Sequence, residues 1–367
     1  MFPTRRSILE LAAATAVLSA TTATAATAHA RSRDKLGYAI VGLGGYANVI
    51  LPRFAECRHS RVAALVSGSA DKARRYGVQY GVPERSQYSY ETFDDLRNNP
   101  DVDIVYVILP NGMHHEYTLR AAAAGKHVMC EKPMANTAAE AESMIAACRA
   151  ADRKLMIGYR SHFEAANLEA MRVVRAGELG RPRIVTAEHG FNIGDPTQWR
   201  LNRALAGGGS LMDIGIYSLQ AARYLTGEEP VEVTALESTD RSDPRFREVE
   251  DTINFQLRFP SGVVADCVST YGSHHNRYRV VGTEGWIDAE SATGYGGNRL
   301  RLHRDGRTAE HPVPEAGQNQ FSAQLDHLSL CVMNDRAPIV AGEEGLKDMR
   351  IIEAIYRAAR ERRTVSL

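Results

Sequence analysis

Leu36-Gly-Tyr-Ala-Ile-Val-Gly42-Leu-Gly44-Gly45-Tyr46-Ala47 decides the fold class of this chain. The apolar run over residues 36–41 predicts a buried strand, and a helical pattern over residues 46–56 follows the glycines at once. Strand, glycine turn and helix in this order form a dinucleotide-binding fingerprint with alanine in its third place. Gly42 makes the turn, Gly44 lets a pyrophosphate approach the backbone, and the small Ala47 packs helix on strand. The helix N-terminus then faces the phosphates.

The second strand, residues 62–66, runs into Ser67-Gly68-Ser69-Ala-Asp71-Lys72. An NAD site places a carboxylate at that strand end to hold the ribose hydroxyls, whereas serine and glycine stand here. Ser67 can donate a hydrogen bond and Lys72 can supply charge, so NADP is the expected cofactor. Asp71 reads as an early helix residue, and Arg74 and Arg75 as a solvated helix face. Residues 104–108 form a β-branched run suited to a parallel sheet, closed by Leu109-Pro-Asn111, and residues 113–124 a helix. His114, His115 and Glu116 open that helix, but adjacent histidines point apart and no second ligand group is near, so no metal is expected. His127-Val-Met-Cys-Glu131-Lys132-Pro133 is a further strand whose end presents Glu131 and Lys132 at a turn, with Pro133 setting that turn at a place suited to a cis bond. A helix over residues 137–151 and a strand over 155–158 complete a Rossmann domain expected to span residues 35–155.

Beyond residue 160 extended runs follow one another with little helix: residues 183–191, 231–236, 251–259, 263–271, 278–282 and 286–289. Residues 156–367 are therefore expected to form a second α/β domain on a large, mainly antiparallel open sheet. Helices are expected to cover one face and leave the other for subunit contact, and helices near residues 319–333 and 345–362 finish the chain. His274 and His275 fall in an expected solvated turn. Gly207-Gly-Gly-Ser210-Leu-Met-Asp213-Ile-Gly-Ile-Tyr217 is a glycine-rich loop feeding a helix, with Asp213 and Tyr217 on one helical face.

The 367 residues carry 44 Lys plus Arg against 44 Asp plus Glu, so no net field favours nucleic acid or an anionic membrane. A small neutral ligand fits that balance. The first thirty residues differ: Thr4-Arg5-Arg6-Ser7-Ile-Leu9 is a twin-arginine start, followed by an Ala/Thr-rich run and a small-x-small site at Ala28-His29-Ala30. Residues 1–30 therefore read as an export signal, with the mature protein periplasmic and free of membrane. The five cysteines are scattered and without a Cys-x-x-Cys pair, which points to neither zinc nor a disulfide framework.

Gly42-x-Gly44-Gly45-x-Ala47, Glu131-Lys132-Pro133 and Asp213-Ile-Gly-Ile-Tyr217 together resemble the glucose-fructose oxidoreductase, inositol dehydrogenase and MocA family over essentially the whole mature chain. Longer runs, among them Asn48-Val-Ile-Leu-Pro52 and Asn319-Gln-Phe-Ser-Ala-Gln-Leu-Asp-His327, are similar to its glucose-fructose and aldose-aldose oxidoreductase branch. The resemblance implies tightly bound NADP, an aldose oxidised at C1 to an aldonolactone, and a second sugar reduced to an alditol. Tyr217 would be the acid/base, Lys132 the neighbouring ammonium that favours its phenolate, and Asp213 a group orienting a sugar hydroxyl. The same matching puts Tyr46, Ser67, Gly68, Lys72, Leu109, Asn111, His114 and Glu131 beside the cofactor, together with Gly42, Gly44 and Gly45. Tyr159 and Arg160 are expected to line the sugar side, and Trp199, Arg200 and Tyr295 the nicotinamide mouth.

Aldose-aldose chemistry is the expectation, ahead of glucose-fructose chemistry and of a dehydrogenase using exchangeable NADP. A non-catalytic sugar sensor is the alternative of another class, and Lys132, Asp213 and Tyr217 argue against it. The glucose-fructose branch carries a longer N-terminal arm and a C-terminal extension. Here Arg31 to Lys35 alone lie between the cleavage site and the first strand, and the sequence stops at Leu367, so a homodimer through the open sheet face is expected.

Overall fold

The computed structural model describes residues 34–367, so the twin-arginine stretch and the cleavage site lie outside the described residues. Strands β1 (Leu36–Val41), β2 (Ser60–Val66), β3 (Gln87–Tyr88), β4 (Ile104–Val107), β5 (His127–Cys130) and β6 (Leu155–Ile157) pair in the order β3-β2-β1-β4-β5-β6. All pairs are parallel, and every residue of β1, β4 and β6 is buried. Helices on both faces of such a sheet are why these strands read as unbroken apolar runs. They are α1 (Ala47–Ile50), α2 (Ala70–Tyr80), α3 (His114–Ala123) and α4 (Ala138–Ala150). The helix expected over residues 46–56 is divided: α1 gives way to a 3-10 segment at Leu51–Glu56. Pro52 has no N–H for the α-helical ladder, so the coil tightens there.

After α5 (Ala165–Arg175), β7 (Pro182–Gly190), α6 (Arg203–Ala206) and α7 (Ile216–Thr226) come β8 (Glu232–Ser238), β9 (Thr252–Arg258), β10 (Val264–Thr270), β11 (His275–Gly282) and β12 (Gly285–Glu290). The chain finishes with β13 (Arg299–Arg304), β14 (Arg307–His311), α8 (Gln320–Met333), α9 (Gly342–Glu361) and β15 (Val365–Ser366). The nine strands β7 to β15 form one sheet, ordered β14-β13-β12-β11-β7-β10-β9-β8-β15, antiparallel except for the β7–β10 pair. Burial alternates along β9, as one helix-covered face and one open face require. The fold class is the expected one. The sequence did not announce α5, β15 or the β13–β14 hairpin, whose first strand is rich in arginine and whose second is almost wholly exposed. The hairpin's own signal is Asp305-Gly306, both at positive φ, the pair that two-residue hairpin turns favour.

Helices α8 and α9 return to the first sheet. The Asp326 carboxylate of α8 accepts hydrogen bonds from Arg58 N (2.6 Å), His59 N (2.8 Å), Ser60 Oγ (2.8 Å) and Gln318 Nε2 (2.8 Å). The Tyr38 hydroxyl donates to Leu325 O at 2.7 Å. Before α9, Val340 O accepts from Ile157 N, which covers the free edge of β6. One continuous apolar core joins both sheets.

Asp326→Ala leaves the donors at the start of β2 without their acceptor, and a buried donor without a partner costs about 1–3 kcal/mol. Urea unfolding should show a loss of at least about 2 kcal/mol, with Asp326→Asn recovering part of it.

Candidate functional site

A cleft of about 730 Å³ runs along the C-terminal ends of the parallel strands and continues to the start of β11. Its first half is made by Gly42, Gly44, Gly45, Tyr46, Ser67, Gly68, Lys72, Leu109 and Asn111, all expected beside a nucleotide. Gly42 has φ +104°, a turn that side chains resist, and a Cβ there would stand 3.0 Å from Ile108 O. Gly44 and Gly45 are different: a Cβ on either would meet no protein atom within 4 Å. The fold itself does not demand glycine at these two positions, so the open space above them is room for a ligand.

At the end of β2 the cleft wall is Ser67, Gly68, Ser69 and Lys72, without a carboxylate. Ser69 Oγ caps α2 by accepting Lys72 N at 3.3 Å. Asp71 is turned to solvent and pairs with Arg74. Tyr90 closes this end and was not found from sequence. It reaches the wall from a loop, and its ring lies where a Cβ on Gly68 would come within 3.0 Å. Asn111 is anchored to the opposite half by Nδ2 donating to Ala206 O at 2.9 Å.

Two expected residues do not line the cleft. His114 is buried behind its wall, with Nδ1 2.9 Å from Pro133 O and Nε2 2.8 Å from Leu109 O, and braces the two loops that do line it. Burial pushes its pKa down, against the pull of those two carbonyls. Tyr159 is buried in the core, facing the Asp348 and Arg223 pair, while the next residue, Arg160, enters the cleft. The chain turns here, with Tyr159 just before the 3-10 segment Arg160–Phe163, and only Arg160 is directed into the cleft. His115 turns to Ser143 Oγ at 3.1 Å, away from His114.

In the second half, Glu131 and Lys132 stand at the end of β5, where the Lys132–Pro133 peptide is cis. Glu131 turns back into the sheet to accept from the Tyr106 hydroxyl and, at 3.2 Å, from Lys132 N. Gly158 leaves room for it, since a Cβ there would press on the carboxylate. Burial raises the Glu131 pKa despite these partners. Lys132 Nζ donates to Asp213 O, lies 3.6 Å from Asp213 Oδ1, and sits 4.8 Å from the centre of the Tyr217 ring. Asp213 Oδ2 also accepts from Arg200 Nε at 2.8 Å and from the Tyr271 hydroxyl at 3.1 Å. Burial opposes its ionisation, but Arg200 and Lys132 outweigh burial and hold the carboxyl below the usual range. Arg200 in turn stacks on Trp199, 4.7 Å from the ring centre. Arg160 and Tyr295 close the wall, 4.7 Å apart by the same measure.

Asp213 and Tyr217 both face the cleft, though not from one α-helical face: Leu211–Gly215 is a π-helical turn and α7 begins after it. The wide turn lies hard against β10, where a Cβ on Gly215 would come within 2.5 Å of Ser269 Cβ. The glycines before it are explained one by one. Gly207 has φ +76°, a Cβ on Gly208 would overlap the Tyr356 hydroxyl, and one on Gly209 would overlap Glu250 O. Glu250, absent from the sequence reading, holds the loop: its carboxylate accepts from Gly209 N at 2.8 Å, Leu211 N at 2.9 Å and Tyr356 Oη at 2.8 Å. His274 and His275 also line the cleft; His274 is exposed in the turn before β11, as expected, whereas His275 belongs to the strand. Strand β11 begins three residues earlier than read, and Ser273 Oγ (2.9 Å) and Glu188 (3.3 Å) hold the His275 ring.

Residues 36–159 match an oxidoreductase family with an NAD-binding Rossmann fold, and residues 167–288 match the GFO/IDH/MocA C-terminal domain. The D-xylose 1-dehydrogenase [NADP(+)] of Haloarcula marismortui is 33% identical over 341 residues, which cover 90% of this chain and 92% of the relative. The 1,5-anhydro-D-fructose reductase of Ensifer adhaerens is 30% identical, covering 81% and 88% respectively. Among solved structures, the aldose-aldose oxidoreductase of Caulobacter crescentus, complexed with glycerol, is 67% identical with a TM-score of 0.90, covering 91% of this chain and 100% of that one.

Glu250→Ala strands the N–H groups of Gly209 and Leu211, at about 1–3 kcal/mol each. Denaturant midpoints should fall accordingly, and kcat/KM should fall at least about tenfold, because Asp213 lies two residues after Leu211 in the same turn and small displacements of reacting groups are costly.

Proposed function

We propose that this chain, which belongs to the GFO/IDH/MocA oxidoreductase family, is an exported NADP-dependent sugar oxidoreductase of the aldose-aldose type with tightly held cofactor. The observation that carries the proposal is the meeting of Lys132, Asp213 and Tyr217 at the inner end of the glycine-lined cleft. The 67% identity to an aldose-aldose oxidoreductase supports the reaction type, and the NADP-dependent xylose dehydrogenase supports the cofactor.

The residues fit that cofactor. Gly44 and Gly45 leave space for a pyrophosphate, and Ser67, Ser69 and Lys72 offer hydrogen bonds and charge to a 2'-phosphate where a carboxylate would repel it. Bound NADP supplies the hydride acceptor and, once reduced, the hydride donor. The rest belongs to the chain. Asp213, kept ionised by Arg200 and Lys132, accepts a hydrogen bond from a sugar hydroxyl and orients the ring. Tyr217 takes the C1 hydroxyl proton as the C1 hydride leaves, giving the aldonolactone, and Lys132 beside its ring favours the phenolate. Tyr217 then returns the proton to the carbonyl oxygen of a second sugar, which leaves as an alditol. No net proton is exchanged with solvent.

Export rests on the twin-arginine stretch, and a homodimer through the open face of the second sheet is supported by the exposed Ile184 and Leu236 there. A dehydrogenase with exchangeable NADP is the second reading, favoured by the D-xylose dehydrogenase relative.

Enzyme purified without nucleotide should release NADP on acid denaturation and convert glucose to gluconolactone and sorbitol unaided; activity only on NADP addition selects the second reading. Tyr217→Phe should lower kcat by about 10²–10⁴ with the cofactor still bound. Gly44→Ala should leave the melting temperature unchanged while weakening NADP binding measured by calorimetry, whereas Gly42→Ala should lower the melting temperature.

A further inference from the structure

Arg160 is almost fully buried, and the oxygens it reaches are all neutral: Gln320 Oε1 and Thr293 O at 2.7 Å and Gly294 O at 3.4 Å. Among the described residues it forms no ion pair with a carboxylate. A buried cation without an anion is costly, so a counter-charge is to be sought near it. The guanidinium lies against three aromatic faces, with Cζ 4.7 Å from the ring centre of Tyr295, 5.1 Å from that of Tyr217 and 5.6 Å from that of Phe321. Of these groups only Tyr217 is the proposed acid/base.

The other groups facing Tyr217 do less. Lys132 shares its charge with the Asp213 carboxylate, which Arg200 also holds. His189 on β7, 5.8 Å away between ring centres, is kept neutral because burial pushes its pKa down to about 3. Tyr46 and Tyr295 are neutral phenols, raised by burial. Glu131 is turned to the Tyr106 hydroxyl.

We propose that Arg160 is a positioning residue acting through Tyr217: its uncompensated charge is the principal field that favours the phenolate over the phenol. The inference rests on Tyr217 being the acid/base. The competing role is a staple, in which Arg160 only ties Thr293 and Gly294 to Gln320.

Two variants of the full chain separate the roles. Arg160→Gln removes the charge, and Gln320→Glu keeps the guanidinium but sets a carboxylate against it, so the staple is retained or strengthened. The oxidation half-reaction is followed by stopped-flow NADPH fluorescence across pH. In parallel, the ultraviolet phenolate signal is titrated and corrected with Tyr217→Phe. In both variants the acid limb of the rate and the Tyr217-dependent absorbance midpoint should move to higher pH by about one unit or more, the range expected for an opposite charge at this separation. Arg160→Lys should recover most of the shift. Slower turnover with both midpoints unmoved in the variants overturns the proposal in favour of the staple. Should Tyr217→Phe remain active, the acid/base assignment itself fails, whereas unmoved midpoints with an inactive Tyr217→Phe remove only the role of Arg160.

Discussion

The contact of Lys132 with Asp213 is the constraint on which the site depends, because it joins the end of a strand in the first sheet to a helical turn packed on the second. Neither half is a sugar site alone. The first sheet offers a glycine-lined groove open to a nucleotide, and the second offers a carboxylate and a phenol. Burying this pair gains little stability, since desolvation offsets most of the Coulomb attraction. Its effect is positional. With Arg200 on the other carboxylate oxygen and Lys132 above the Tyr217 ring, the Tyr217 phenol and the Asp213 carboxylate are held in one geometry.

That geometry is in turn maintained by groups that never meet a ligand. Glu250 fixes the backbone before the π-helical turn, His114 braces the Leu109 and Pro133 carbonyls, and Asn111 ties the nucleotide half to Ala206. A π-helical turn is wider than an α-helical one and persists where packing requires it. Here it is squeezed between β10 and the three glycines that let the chain pass Asn136, Tyr356 and Glu250. The charge balance is uneven: Lys132 and Arg200 share one carboxylate, while Arg160 has none among the described residues. The Tyr217 ring therefore sits against a positively biased wall.

Much of this was legible in the residues, for reasons that can be named. Five of the six parallel strands are short apolar runs because both faces are covered, the half-buried β3 being the exception, and Gly42 is the turn residue it was read to be. Lys132, Asp213 and Tyr217 all face the cleft, as do Arg160, Trp199, Arg200 and Tyr295. What escaped has a common cause. Strands β13 and β14 carry no apolar run because β13 is only partly buried and β14 is almost wholly exposed, and only the Asp305-Gly306 turn marks them. Tyr159 and Arg160 are indistinguishable as candidates until the backbone shows which one turns inward.

The sequence by itself determined the two-sheet architecture, the nucleotide groove and the chemical identity of the groups that gather at its end. These are set by local periodicity, by glycines at fixed spacing and by residue chemistry, all of which act over a few positions along the chain. Tertiary structure alone decided that Glu250 clasps the loop at Gly209, that Asp326 caps the start of β2, that His275 reaches the cleft and that Arg160 stands without a counter-ion among the described residues. Those contacts join residues far apart in sequence. A buried carboxylate or guanidinium acquires its meaning from the particular donors and acceptors that folding brings to it.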